Sequence, residues 1–424
     1  LDEGSQKFGK MAEEVAVDYS LNNPDTLTKY KVAAQISQKA LEFVAGLCIE
    51  GAKIVDTCER GDKFLEEEIS KVYKGKKIPK GISHPTTVSP SSYVTPYTPL
   101  KTDTEEAAVV LKAGEVIKIQ LGAQIDGLGA IVCDSIIIPA GKNDGDKIPG
   151  RQADLLLATH WANELLLRLM VPPGLVASGT DEEKAKSQAA KPYSQSKITQ
   201  LLEKVAKSYD CNIVESTTCW LFEHNEIEGK KKIILSSGDG VKGEGLPEVG
   251  DVWGVEVGVS LGSGKVKTLS NRPTLHRRTV TKYGLSRPSS RATLNEIVKK
   301  FGTFPFSLRQ LEDERAAKVG VVECVRGNVL RQYEVVGDKD NESVARLFTT
   351  VAITKNGLTR LCAPPPPDLE QYKTDKKITD EEILKILEQP LGKNTGSKSK
   401  NKKKKKKAAK KAENEEEGES SEEE

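Results

Sequence analysis

The sequence predicts an α+β protein built on a curved antiparallel sheet. Helices come first and strands interleave behind them, several joined as hairpins, rather than alternating strand, helix, strand. The sharpest hairpin is VIKIQLGAQIDGLGAIVCDSI, residues 116–136, where β-branched residues flank Asp126-Gly127, the strongest turn dipeptide in the chain. No GxGxxG follows a strand and no GxxxxGK[ST] occurs. LGSGK at 261–265 lacks the phosphate-loop spacing and reads as a glycine-rich strand exit.

The first helix spans 25–49 behind Asp25 or Thr26 as cap. Tyr30, Ala33, Ala34, Leu41, Val44, Ala45 and Cys48 share one stripe, broken only by Ser37. A second helix covers 61–73, acidic at its start and lysine-bearing at its end, as the helix dipole favours. KGKKIPKG is then a basic loop, and TTVSPSSYVTPYTPL is strand-like but rich in Ser and Pro. In the hairpin, Ile117, Ile119 and Leu121 fall on one face, and Val116, Lys118 and Gln120 on the other, with Gln120 opposite Ile131. Residues 151–170 form an amphipathic helix stopped by Pro172-Pro173, and 177–196 a polar surface loop. A helix at 197–208, strands near 212–222 and 231–236, and the strand DVWGVEVGVSLG follow. Residues 271–291 are basic and irregular. Helices near 293–301 and 307–318 precede strands at 329–336 and 344–354. APPPPD at 363–368 ends the main body, and 379–389 is a short helix with a Thr379–Glu382 capping box.

The chain has 424 residues, 37% hydrophobic and 30% charged. It holds no run of 18 apolar residues, so no membrane-spanning helix is expected, and its first residues lack the apolar run of a signal peptide. Residues 1–24 read as an N-terminal extension, of which 1–10, ahead of Met11, read as an expression remnant. Seven scattered cysteines without CxxC fit a reducing compartment, and four histidines without HExxH or HxH leave little material for a zinc site. Between Lys393 and Lys411 there are eleven lysines, and between Glu413 and Glu424 eight glutamates. This tail is net +3 and the remaining chain −1. From 391 onward the composition cannot support a packed core, so disorder is expected.

Five stretches carry a resemblance: KIQLGAQIDGLGA (118–130), TKYGLSRPSSRATL (281–294), TFPFSLRQLEDERAAKVG (303–320), VGVVECVRGNVL (319–330) and the lysine-then-acid tail. Together they resemble the proliferation-associated family that includes the fungal curved-DNA-binding proteins, and a fungal member is expected. The family shares the pita-bread fold of type 2 methionine aminopeptidases, a pseudo-symmetric α+β body with helices behind a bowl-shaped antiparallel sheet. The resemblance implies that residues 25–368 form this body with an insert around 262–305, and that 369–390 supply a C-terminal helix.

The enzymes of that fold bind two metal ions through two Asp, one His and two Glu, and use a further His on substrate; hard oxygen ligands and an imidazole suit a bridging hydroxide. Matching their motifs onto this chain implies that Gln120 and Ile131 stand where the aspartates would, Cys219 and Phe348 where the ligand His and one Glu would, and Pro96 where the catalytic His would. Glu256 alone survives. The expectation is therefore no metal, no cofactor and no peptidase activity, with Glu256 hydrogen-bonded or paired with a base, since a buried carboxylate without a cation is costly.

Basic clusters supply candidate nucleic-acid contacts. Arg272, His276, Arg277, Arg278, Lys282, Arg287 and Arg291 are interleaved with Tyr283, a pattern that suits phosphates and a stacked base. Lys71, Lys74, Lys76, Lys77 and Lys80 form a second group, Lys230, Lys231 and Lys232 a third, and the tail around Lys402, Lys403 and Lys404 a fourth. The bland alternative for each lysine group is solvated surface. The resemblance implies an RNA-binding monomer on the large ribosomal subunit near the nascent-chain exit, touching ribosomal RNA and exit-site proteins. It also implies cytoplasmic and nucleolar residence and roles in ribosome biogenesis, translation and growth control. A DNA-binding transcriptional regulator and a residual metallo-aminopeptidase are the alternatives. The LxxLL of some family members is replaced at 383–387 by ILKIL, which puts recruitment by nuclear-receptor-type partners in doubt.

Overall fold

The computed structural model describes residues 17–139, 148–236 and 242–393. Helices α1 (Pro24–Leu47) and α2 (Ile54–Lys71) lead into β1 (Lys80–Pro90), the single turn α3 (Thr104–Ala107) and the hairpin β2 (Val116–Ile125) and β3 (Leu128–Ile137). Then come β4 (Ile148–Pro149), α4 (Gly150–Leu169), α5 (Asp181–Ala189) and α6 (Gln195–Ser208). Strands β5 (Asn212–Ile213), β6 (Thr218–Phe222), β7 (Lys232–Ile234), β8 (Val252–Ser260), β9 (Val266–Thr268) and β10 (Leu275–Arg278) follow. Next are α7 (Pro288–Phe301), β11 (Phe306–Ser307) and α8 (Glu314–Arg326). The last elements are β12 (Leu330–Gln332), β13 (Val336–Asp338), β14 (Val344–Thr354), β15 (Gly357–Cys362), β16 (Tyr372–Lys373) and α9 (Glu381–Leu387).

The fold is the α+β pita-bread arrangement. Its main sheet runs β1-β2-β3-β14-β8-β6-β7, with β15 added on β14 and β5 on β8. Helices α1 and α2 bury Ala33, Val44, Leu65 and Ile69 against Ile117, Ile119 and Leu121 of β2. Helices α4, α6 and α9 bury Leu165, Leu201 and Ile383 against Trp253, Val255 and Val257 of β8. The helices thus form two groups behind one face of the sheet, and the sheets under them meet where β3 joins β14. A satellite core around Ile297, Phe306, Val321 and Cys324 joins α7 and α8 to the small sheet β11-β10-β12.

The Asp126-Gly127 turn forms as expected. Both residues have positive φ, 56° and 75°, as a two-residue hairpin loop of this kind requires. Asp126 also accepts from Lys29 Nζ at 2.7 Å, which ties the turn to α1. The pairing differs from expectation by two residues: Gln120 faces Cys133, and Ile131 faces Gly122. Ser37, the break in the α1 stripe, is fully buried. Its hydroxyl lies 2.9 Å from the carbonyls of Ala33 and Ala130 and accepts the Ala123 N–H, pinning α1 to the hairpin.

Several boundaries move for local reasons. Helix α1 starts behind Asn23, whose side chain accepts the Asp25 N–H, with Pro24 in the first turn. Helix α2 starts at Ile54 because Ile54, Val55 and Cys58 extend its buried face. The polar stretch 177–196 contains α5, started by a Thr180–Glu183 capping box. The helix expected at 307–318 is α8 at 314–326, because Asp313 accepts the Arg315 and Ala316 N–H groups. The cap of α9 is Asp380, not Thr379. Helix α4 is buried around most of its circumference, because the chain beyond the proline run returns to cover it with Ile378, Ile383 and Ile386. No helix among the described residues is long and apolar enough to cross a membrane.

Gly122 shows how tightly the hairpin is closed. A Cβ there would sit 2.5 Å from the Ala130 carbonyl and 2.6 Å from Ser83 Oγ. Gly122→Ala is expected to destabilise by about 1–3 kcal/mol, the range for overpacking, measured by denaturant unfolding. An unchanged midpoint would mean that β1 and the β3 backbone both yield freely.

Candidate functional site

Alternation along the strands builds the site. Gln120 on β2 pairs with Cys133 on β3, Cys133 with Phe348 on β14, and Phe348 with Glu256 on β8. This row crosses four strands on the face away from the helices. In front of it lies a pocket of about 350 Å³. Pro96, Gln120, Ile131, Glu256 and Phe348, five of the six positions matched to the enzymes, line it. Cys219 does not. The period of β6 turns it away, and its thiol lies 3.3 Å from both the backbone N–H and carbonyl of Glu256; Thr218 and Trp220 face the pocket instead.

The pocket's centre is held by a residue that sequence matching passed over. Arg346 lies two residues before Phe348 on β14, hence on the same face. Its side chain is only 3% exposed. One terminal nitrogen donates to Gln120 Oε1 at 2.6 Å and lies 3.8 Å from Cys133 Sγ, and the other donates to the Val94 carbonyl at 2.9 Å. Its Nε is 3.5 Å from Glu256 Oε1. Glu256 is thus paired with a base, as its isolation required. Burial raises its pKa while Arg346 opposes the rise.

The same arrangement does not fit a metal pair. Only one carboxylate of the matched ligand set is present, and a fixed guanidinium lies beside it. The Gln120 oxygen already accepts from that guanidinium. Among the described residues no group of three His, Cys, Asp or Glu side chains comes together as a metal site would need. His84 lines the pocket, but burial pushes its pKa down to about 3, and Nδ1 lies 2.8 Å from the Pro85 carbonyl. Behind Gln120, Lys118 is fully buried. Desolvation, helped by Arg346, lowers its pKa to about 7, and Nζ donates to the carbonyls of Pro90 and Ser91.

The basic clusters divide sharply. His276 is 1% exposed and Arg277 is sunk into an acidic network, so neither is a surface contact. Arg277 pairs with Glu226 and Glu228, and Glu228 also holds Arg331 and accepts from Tyr333 Oη at 2.7 Å. β10 is the middle strand between β11 and β12, and the 226–228 segment brings Glu226 and Glu228 onto Arg277. Lys231 is likewise held by Glu248 and Asp251, at 2.8 and 2.9 Å. Arg272 pairs with Asp103, Arg291 donates to the Leu285 and Ser286 carbonyls, Lys71 pairs with Glu68, and Lys80 donates to the Val72 carbonyl. Lys232 lies over Trp220 and Lys76 over Tyr73, each at 5.6 Å. Lys74, Lys77, Lys230, Lys282 and Arg287 are exposed and Arg278 half-buried. Tyr283 is 55% exposed with its ring against Gly327. Lys402, Lys403 and Lys404 lie outside the described residues.

Fold and pocket together define a protein of the methionine-aminopeptidase-like pita-bread class, with an arginine at the pocket's centre. No family model matches the chain. Curved DNA-binding protein of Schizosaccharomyces pombe is 38% identical over 392 residues, covering 92% of this chain and 96% of the relative. Proliferation-associated protein A of Dictyostelium discoideum is 32% identical over 400 residues, covering 93% and 97%. A solved structure described as a thermophilic Arx1 superposes with a TM-score of 0.86 and 70% identity, over 88% of this chain and all of that one. The chain belongs to the family of the curved DNA-binding and proliferation-associated proteins.

Replacing Arg346 with Met removes the cation and leaves Glu256 in a low-dielectric pocket. A loss of about 3–5 kcal/mol is expected, and adding Glu256→Gln should restore part of it. Unfolding of both single variants and the double tests this. Additive losses would show that the two side chains are not coupled.

Proposed function

We propose that this protein is a non-catalytic RNA-binding factor of the large ribosomal subunit, docking near the nascent-chain exit. The observation that carries the non-catalytic half of this reading is Arg346. A permanent positive charge beside the only matched carboxylate opposes binding of two further cations, while the fold around it stays intact as a scaffold. The binding surface is assigned to the 272–291 segment, in its exposed part between β10 and α7. There Lys282, Arg287 and the exposed ring of Tyr283 offer phosphate contacts and a stacking face on an ordered framework. Contacts on ordered structure lose little entropy on binding, and lysine–phosphate contacts from the tail would add salt-sensitive, unspecific affinity. Roles in ribosome biogenesis, translation and growth control, with cytoplasmic and nucleolar residence, belong to the same reading.

The second reading is DNA binding, favoured by the name of the S. pombe relative. Phosphate contacts are blind to sugar type unless the 2′-hydroxyl is read, so competition between ribosomal RNA fragments and duplex DNA separates the two.

The double variant Lys282→Glu plus Arg287→Glu is expected to lose cosedimentation with large subunits at moderate salt, with unfolding nearly unchanged, as for surface substitutions. Undiminished pelleting would move the docking face, first to the loop of Lys74 and Lys77. The protein is also expected to release no N-terminal methionine from a short peptide in cobalt or manganese. Release that Glu256→Ala abolishes would overturn the non-catalytic reading.

A further inference from the structure

Behind the sheet, opposite the central pocket, lies a second cavity of about 310 Å³. It exists because the two helix groups diverge over the β3–β14 junction. Leu347 and Thr349 floor it, α4 forms one wall, and Pro364 to Pro367 form the other. Two of its polar groups are open to a ligand. Asp134 projects from β3 with a single hydrogen bond, from the Ser135 N–H at 2.8 Å. Asn163, 4% exposed, lines the same cavity, and its side-chain oxygen has no hydrogen-bond partner. Glu164, by contrast, is already paired, with Arg168 at 2.8 Å and with Arg360. Both open valences are therefore acceptors, and among the described residues Asp134 has no cation.

We propose that this cavity binds a small organic ammonium ion, its charge on Asp134 and its apolar body against the proline wall and Leu156. Size agrees: an engineered apolar cavity of about 150 Å³ already holds benzene, and small-molecule sites begin near about 300 Å³. Burial pushes Asp134 up to about 7, so the carboxyl carries its full charge only when a cation arrives or the pH rises. The other titratable groups facing the cavity do not supply that cation. His160 on α4 is kept neutral by burial, Arg360 is committed to Glu164, and the Tyr372 hydroxyl is held protonated by burial and by Asp134 itself. Binding should therefore tighten as pH rises through 7.

Calorimetric titration of the full chain with benzylammonium, and with benzyl alcohol as its neutral counterpart, tests the site at pH 6 and pH 8. The ammonium should bind more tightly at pH 8. Asp134→Asn should weaken it about ten- to hundredfold, the worth of a hydrogen bond to a charged group, without changing alcohol binding. Leu156→Trp, which fills the cavity from the α4 wall, should abolish both. Equal affinity for the alcohol, unchanged affinity in Asp134→Asn, survival of binding in Leu156→Trp, or no binding by the unmodified protein would each overturn the proposal. If Asp134→Asn proves unfolded, the Leu156→Trp comparison and the pH dependence still decide it.

Discussion

The structure hangs on the junction of β3 with β14. Two half-sheets, each with its own helices, meet there through a single ladder pair, Cys133 with Phe348. One pair cannot satisfy the backbone of two long strands, and unpaired buried amides and carbonyls are costly. Hydroxyls complete the seam. Ser135 Oγ accepts the Arg346 N–H and donates to the Arg346 carbonyl, both at 2.7 Å. Thr350 Oγ1 does the same for Ile131, at 2.9 and 2.7 Å. The guanidinium of Arg346 then reaches across to β2 and β8. The side chain that clamps the halves therefore also fills the pocket between them.

That coincidence links fold and chemistry. In a metal-bearing relative of this shape, carboxylates on the central strands would draw together around cations taken from solution. Here the cation is covalently part of β14 and present as soon as the chain folds. A guanidinium remains charged at any physiological pH and offers planar donors, so it can hold one amide and one carboxylate at once. A second buried pair serves the periphery in the same way. Arg309, 2% exposed, sits 2.7 Å from Asp62 of α2 and donates to Thr98 and to the Thr86 carbonyl, binding α2, β1 and the satellite core.

Most of the architecture was legible in the sequence, and the misses have physical causes. The α1 stripe, the Asp-Gly hairpin and the α4 segment carry strong local signals. The two-residue slip of Gln120 and Ile131 preserved the face, because strands have period two, but misplaced the partner. The same alternation, applied one residue further along, would have shown Cys219 turning away and Arg346 joining Phe348. Arg277 was misjudged because it sits in a basic run, whereas its partners Glu226 and Glu228 come from a distant β-turn region that composition alone cannot bring near. Buried Lys118 gave no warning beyond its place beside Gln120.

The return of the chain over α4 has a consequence for synthesis. Residues 150–169 are made early, yet Ile378, Ile383 and Ile386, which cover their outer side, are added more than two hundred residues later. At about 5–20 residues per second the ribosome needs on the order of 10–40 s to supply them. Throughout that interval one flank of an apolar helix lacks the cover that its own chain later supplies. The outer cover of α4 is thus among the last parts of the described body to be synthesised, after the strand that joins the two half-sheets.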